Sequence, residues 1–193
     1  MTKVETKNIL IVGVGGQGTL LASKILGQVA LLSDLDVKQS EVHGMAQRGG
    51  SVITYVRLGE KISSPLIEKK EADIIIAFEK LEGIRWLDYL KEDGTIIIND
   101  QEIYPMPVII GAANYPENIF ERLEKSSNKT IKVNGYELAK NLGETRALNV
   151  ILLAVAAKLL PFEKEVWEKA LVDMVPKKVL ETNQKAFELG WNL

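Results

Sequence analysis

Apolar and polar positions alternate with two different periods along this chain. Residues 8–12 form a short β-branched run, and after a glycine-rich stretch residues 19–32 carry apolar side chains at helical spacing, so strand, turn and helix are expected in that order. A second strand is expected over residues 36–42. A third covers 51–58, where Val52, Thr54 and Val56 alternate with Ile53, Tyr55 and Arg57. The link over residues 43–50 is too short for the crossover that a parallel partner requires, so the sheet should be mixed, with an antiparallel member at 51–58.

Beyond Pro65 the same alternation predicts a strand at 73–78, a helix at 80–91 and a strand at 95–98 after the Asp93-Gly94 turn. Further strands at 106–110 and 129–133 should flank a helix near 116–125, with a short helix at 136–141. The remainder is helical in pattern: 145–160, then 163–174 after Pro161, then 178–189 after Pro176. The fold class expected is α/β, a three-layer Rossmann-like fold with a mostly parallel, mixed sheet and a helical C-terminal tail from about residue 145. A chain of 193 residues without repeats or linkers suits a single domain spanning 1–193.

Charge and composition narrow the function. Lys and Arg total 24 and Asp and Glu 26, a net charge of -2, so no broad basic surface is offered to nucleic acid. Cys is absent and His occurs once, which removes disulfides, cysteine-ligated iron–sulfur clusters and zinc sites built from Cys or several His; no metal site is expected. Residues 1–7 are polar and the apolar run that follows stops at Gly13, so no secretory signal is expected and the location should be cytoplasmic. The most apolar stretch, 147–160, has only Asn149 and Lys158 as polar residues but is shorter than the roughly 20 residues a bilayer span needs, so core burial rather than a membrane is expected.

Candidate chemistry gathers in two segments. Gly13, Gly15 and Gly18, with Gly16 and Gln17 between, satisfy G-x-G-x-x-G after a strand and before a helix, where missing Cβ atoms let backbone approach an anion at the positive helix end. Glu41 lies about 20 residues on, where a ribose-binding carboxylate would stand. A turn whose glycines only allow close strand–helix packing meets the same pattern. Thr19 stands where a nucleotide-hydrolysing P-loop needs Lys. The second segment, 40–51, brings His43, Gln47 and Arg48 together with Gly44, Gly49 and Gly50. Arg48 could offer a cation to a phosphate or carboxylate, and His43 is the one possible catalytic proton carrier. A satisfied core histidine and an acid-paired arginine are the plainer readings. Glu79, Lys80 and Glu82 read as helix capping, and Thr145, Arg146 and Asn149 as capping or interface groups.

Gly13 to Gly18 followed by Leu20, Leu21, Ala22, Ser23 and Lys24, and then the run Ser40-Glu41-Val42-His43-Gly44-Met45-Ala46-Gln47-Arg48-Gly49-Gly50-Ser51, resemble the gamma-type subunit or domain of 2-oxoacid:ferredoxin oxidoreductases, most nearly its indolepyruvate branch. The similarity extends to the C-terminal stretch 183–190. It implies a subunit, inactive alone, of an enzyme that oxidatively decarboxylates 2-oxoacids to acyl-coenzyme A and reduces ferredoxin, here arylpyruvates such as indolepyruvate. Pyruvate, 2-oxoglutarate and branched-chain relatives share these loops. Thiamine diphosphate and iron–sulfur clusters would sit in the larger partner subunit and none in this chain, which lacks both Cys and a Gly-Asp-Gly thiamine motif. Coenzyme A is expected at the interface, near Gly13, Gly15, Gly16, Gln17, Gly18, His43, Gln47 and Arg48. An apolar tail with Trp167, Phe187 and Trp191 also looks larger than a small sheet needs, which suggests a covering partner; a homodimer of the isolated chain is compatible with that surface. Two other classes remain: a stand-alone NAD-dependent dehydrogenase, resting on the glycine turn and Glu41, and a non-catalytic docking subunit.

Overall fold

The computed structural model describes residues 5–44, 49–126 and 129–193. Its six strands are β1 (Lys7–Val14), β2 (Asp36–His43), β3 (Ser51–Gly59), β4 (Ala72–Ala77), β5 (Leu90–Asn99) and β6 (Lys129–Val133). They form one sheet in the order β2-β3-β1-β4-β5-β6. Strands β1, β4, β5 and β6 are parallel neighbours, whereas β3 runs antiparallel to both β1 and β2. The short 44–50 connection forces that reversal, as its length suggests. β1 and β2 therefore run in the same direction with β3 inserted between them.

The central strands are apolar on both faces because both are covered. On one face Ile9, Ile11, Val56, Ile74, Ile76 and Ile97 meet the helices α1 (Thr19–Leu32), α6 (Leu148–Ala157), α7 (Lys164–Met174) and α8 (Lys177–Trp191). On the other, Leu10, Val12, Ile53, Ile75, Ile96 and Ile98 meet Ile119 and Leu123 of α4 (Ile119–Ser126) and the region of α2 (Lys80–Arg85). Helix, sheet and helix make three layers, with α3 (Met106–Ile109) and α5 (Gly135–Asn141) as short additions.

Three elements differ from their sequence pattern. Residues 106–110, expected as a strand, make the helical turn α3, because Pro105 and Pro107 cannot donate to a sheet ladder. The helix expected over 80–91 ends at Arg85, and a 3-10 turn at Leu87–Tyr89 leads into a longer β5, whose pairing with β4 shifts register between Ala72 and Ile74. The apolar helix expected over 145–160 begins as a 3-10 turn, Thr145–Ala147, before α6. Every residue of α6 is buried, and Trp167 and Phe187 are 0% and 1% exposed, so these apolar groups of the tail cover the chain's own sheet, while Leu159, Val172 and Leu193 stay exposed. Exposed apolar side chains also gather at Tyr104, Met106, Ile109 and Ile110. No helix among the described residues is long and apolar enough to cross a membrane.

Candidate functional site

The C-terminal ends of the parallel strands carry the glycine turn, the 44–50 connection and the loop after β5 on a single edge, the usual ligand edge of an open α/β sheet. The turn and the 44–50 connection do not leave neighbouring strands, since β3 lies between β1 and β2. They are joined directly all the same: the Gly15 N–H donates to the Gly50 carbonyl, 2.9 Å.

Each glycine of the turn has its own reason. Gly13 ends the strand tightly, because a Cβ there would stand 2.9 Å from the Gln17 Oε1 and 3.1 Å from the Phe78 Cβ. Gly16 and Gly18 have φ of 102° and 85°, left-handed conformations that glycine adopts freely. Gly18 also abuts the side chain of Asn149, whose Nδ2 donates to the Gly18 carbonyl, 3.2 Å. Toward described residues, the backbone N–H groups of Gly16, Gly18, Thr19 and Leu20 make no backbone hydrogen bond, which leaves four donors at the positive end of α1.

Gln17 faces inward. Its Oε1 accepts from the Val14 N–H at 2.8 Å, while its Nε2 donates to the Phe78 carbonyl at 3.0 Å and to the Gln101 Oε1 at 3.3 Å. Asn99 continues the strut, donating to the Phe78 carbonyl at 3.1 Å and accepting from the Gly135 N–H at 2.9 Å. The Gln17 side chain thus braces the turn against the ends of β4 and β5. Asn99 and Gln101 had no signal in the sequence beyond their place after a strand.

His43 is exposed at the end of β2 with its Nε2 3.1 Å from the Glu41 Oε1. The other Glu41 oxygen accepts from the Thr54 hydroxyl at 2.9 Å and from the Thr19 hydroxyl at 3.4 Å. Glu41 ties β2, β3 and α1 together, and its strand is separated from β1 by β3, where a dinucleotide fold places the two side by side. That arrangement disfavours the ribose role. Gln47 and Arg48 lie outside the described residues.

A buried carboxylate pair lies on the α2 side of the turn. Glu79 caps α2 by accepting from the Glu82 N–H at 2.9 Å, and its other oxygen accepts from the Ile103 N–H at 3.2 Å and from the Tyr115 hydroxyl. Glu82 accepts from the Ser51 hydroxyl at 2.5 Å and pairs with Arg85 at 2.7 Å. Burial pushes the Glu82 carboxyl above its ordinary value, against the opposing pull of Ser51 and Arg85. Burial and the neighbouring Glu79 push the Tyr115 hydroxyl far up, so it stays a donor. The capping expected is present at Glu79 alone: the Glu82 carboxylate instead holds Ser51 and Arg85, and Lys80 is ion-paired with Asp100 at 3.3 Å and Glu102 at 2.6 Å. A cavity of about 490 Å³ opens here between Gly44, Gly49, Gly50, Arg85 and the apolar strap at Ile103 to Val108. Sequence reading missed Tyr115, because it acts through Glu79, 36 residues away, and it missed Arg85, although its partner Glu82 stands only three residues back on the same helix. Among the described residues no group of His, Asp and Glu could hold a metal ion.

Comparison with known proteins adds identity to this geometry. The family described as pyruvate ferredoxin/flavodoxin oxidoreductase matches residues 8–193. A protein of Archaeoglobus fulgidus named indolepyruvate oxidoreductase subunit IorB is 39% identical over 189 residues, covering 96% of this chain and 94% of that protein. A crystal structure of the keto/oxoacid ferredoxin oxidoreductase gamma subunit from Geobacter sulfurreducens shares the fold with a TM-score of 0.72 at 24% identity, covering 96% of each chain. The 2-oxoglutarate:ferredoxin oxidoreductase of Magnetococcus marinus, solved with 2-oxoglutarate, coenzyme A and succinyl-CoA bound, shares it with a TM-score of 0.73 at 17% identity; there the match covers 98% of this chain but 31% of the longer one.

Proposed function

Because the chain belongs to the pyruvate ferredoxin/flavodoxin oxidoreductase family, we propose that it is the subunit without redox cofactors in a 2-oxoacid:ferredoxin oxidoreductase acting on indolepyruvate or a related arylpyruvate. The assembled enzyme would cleave the bond between the carboxylate and the 2-oxo carbon, release carbon dioxide, join the acyl group to the thiol of coenzyme A and pass the electrons to ferredoxin. The larger subunit would hold thiamine diphosphate and the iron–sulfur clusters. A chain without cysteine has no thiolates for such clusters.

The observation that carries this reading is end-to-end similarity, at 39% identity, to a protein named as an indolepyruvate oxidoreductase subunit. Two features of the site support it. The N–H groups of the glycine turn that make no backbone hydrogen bond to described residues lie at the same sheet edge as the 44–50 connection, in which the sequence places Arg48, a suitable setting for a phosphate of coenzyme A. The exposed apolar side chains of Tyr104, Met106, Ile109 and Ile110 stand beside that edge, as a subunit contact would require. His43 and Gln47 belong to the same proposed surface.

The test uses the complex reconstituted from this chain and its larger subunit. Arg48→Ala should raise the KM for coenzyme A roughly ten- to hundredfold, the equivalent of one lost charge-assisted bond of about 1.5–3 kcal/mol, while the KM for indolepyruvate stays put. Equal coenzyme A values in an intact complex would remove Arg48 from the ligand site. A complex that forms no acyl-coenzyme A from any arylpyruvate would overturn the substrate assignment.

A further inference from the structure

The strap that opens at Ile103 stands between two hollows. One is the cavity beside Glu82 described above; the other, of about 780 Å³, lies on the side of α2 and the start of α4. Val108, Ala113, Asn114 and Pro116 line both, so the strap forms a ridge with a hollow on either flank. Its backbone N–H groups from Val108 to Ala113 donate only to carbonyls of Pro105, Met106, Pro107 and Val108. Met106, Ile109 and Ile110 along this ridge are 66%, 64% and 68% exposed, a clustering that marks a contact surface.

The larger hollow is aromatic and acidic. Tyr104 and Tyr115 line it with ring centroids 5.3 Å apart, and Phe120 lines it as well. Lys80, the lining cation, is held by Asp100 and Glu102, and Lys132 also pairs with Asp100 at 2.9 Å, so this network balances in charge. Glu117 and Glu121 remain. Both are exposed, and neither forms an ion pair with any described residue. They flank the start of α4, whose dipole sets about half a positive charge against their two negative ones. The hollow is left net negative. Its wall already takes a cation from this chain, since the Lys132 ammonium stands 4.0 Å from the Phe120 ring centroid.

We propose that this hollow receives a lysine or arginine side chain of the larger subunit when the strap docks on that subunit. Glu117 and Glu121 pair with the charge, and the rings of Tyr104 and Tyr115 cover the apolar stem. A cationic side chain is the occupant that fits, because it brings both a stem for the rings and the charge that the hollow lacks. A purely apolar or acidic one would strip water from two carboxylates and leave them unpaired. Tyr104 and Val108 join the hollow to the ridge, so one partner surface covers both. The inference rests on the subunit role proposed above and adds the chemistry of the partner's contact. It uses neither the glycine turn nor the 40–51 segment.

The test is the affinity of the full chain for the larger subunit, measured by sedimentation at low and at physiological ionic strength. Glu117→Gln/Glu121→Gln should raise the dissociation constant about tenfold or more and flatten its dependence on salt. Both side chains are exposed, so this variant should keep the wild-type circular dichroism spectrum. A control in the helical tail, Glu163→Gln/Glu181→Gln, removes two exposed carboxylates elsewhere and should bind like wild type. Wild-type affinity in the Glu117→Gln/Glu121→Gln variant, or an equal loss in the control, would overturn the proposal. So would a dimer of the wild-type chain alone that the same two substitutions dissociate, since the occupant is then a second copy. Failure of the wild-type chain to bind the larger subunit would overturn both this occupant and the reading it rests on. A complex that assembles with the expected variant pattern yet forms no acyl-coenzyme A would overturn the enzymatic reading alone and support the hollow's role.

Discussion

At Glu82, burial and pairing pull in opposite directions. The residue is 4% exposed, and removal from water raises its pKa more than the Ser51 hydroxyl and the Arg85 guanidinium lower it. A carboxyl that binds its proton more tightly when folded contributes stability fully present below its unfolded value, near 4.5, and lost as pH rises through the folded value. Glu82→Gln removes that titration. Urea midpoints should therefore fall less for the variant than for the wild type as pH rises from about 4.5 toward neutrality. Parallel curves over that window would show that Glu82 does not titrate differently in the folded chain. Single residues were legible where the signal was local, as at Gly16 and Gly18, whose left-handed backbone follows from the turn they occupy. They were not legible where the partner is remote: nothing near Gln17 in sequence announces that its amide braces Phe78 and Gln101.

Among elements, the two C-terminal helices set how tightly the first layer closes. Gly190 of α8 lies against α6, where a Cβ would run into the Ile151 carbonyl oxygen and stand 2.8 Å from the Ala154 Cβ. Helix propensity alone favours alanine over glycine by about 1 kcal/mol. Overpacking against a backbone oxygen that cannot swing aside typically costs about 1–3 kcal/mol, so the clash should win. Gly190→Ala should lower stability to urea, and a variant equal to or more stable than wild type would mean that the helices separate freely. The elements themselves were mostly readable, because β1, α1, β3 and α6 carry strong periodic patterns and the 44–50 link is too short for a crossover. One departure has a plain cause. Residues 106–110 are apolar like a strand, but Pro105 precedes them, Pro107 lies within them, and Met106, Ile109 and Ile110 are exposed, so tertiary context gave them no sheet to join.

For the whole molecule, the layers leave one edge open. Helix α6, Trp167 and Phe187 of the helical tail are consumed by the chain's own core, while the glycine turn, the 44–50 connection, the buried Glu79–Glu82 pair and the exposed apolar strap share the C-terminal edge of the sheet. The three-layer class and the position of the turn were legible from sequence. The hollow beside α4 was not, because Lys80 and Glu121 are brought together only by the packing of α2 against α4.

Ferredoxin reduction under anaerobic conditions shows most directly whether this chain works as one part of a 2-oxoacid:ferredoxin oxidoreductase. Indolepyruvate, coenzyme A and ferredoxin are supplied to this chain alone, to the larger subunit alone and to the two combined. Reduced ferredoxin and acyl-coenzyme A should appear together only in the combined sample, in equal dependence on the 2-oxoacid and on coenzyme A. Full turnover by the larger subunit without this chain, or no turnover when the two form a stable complex, would contradict the account.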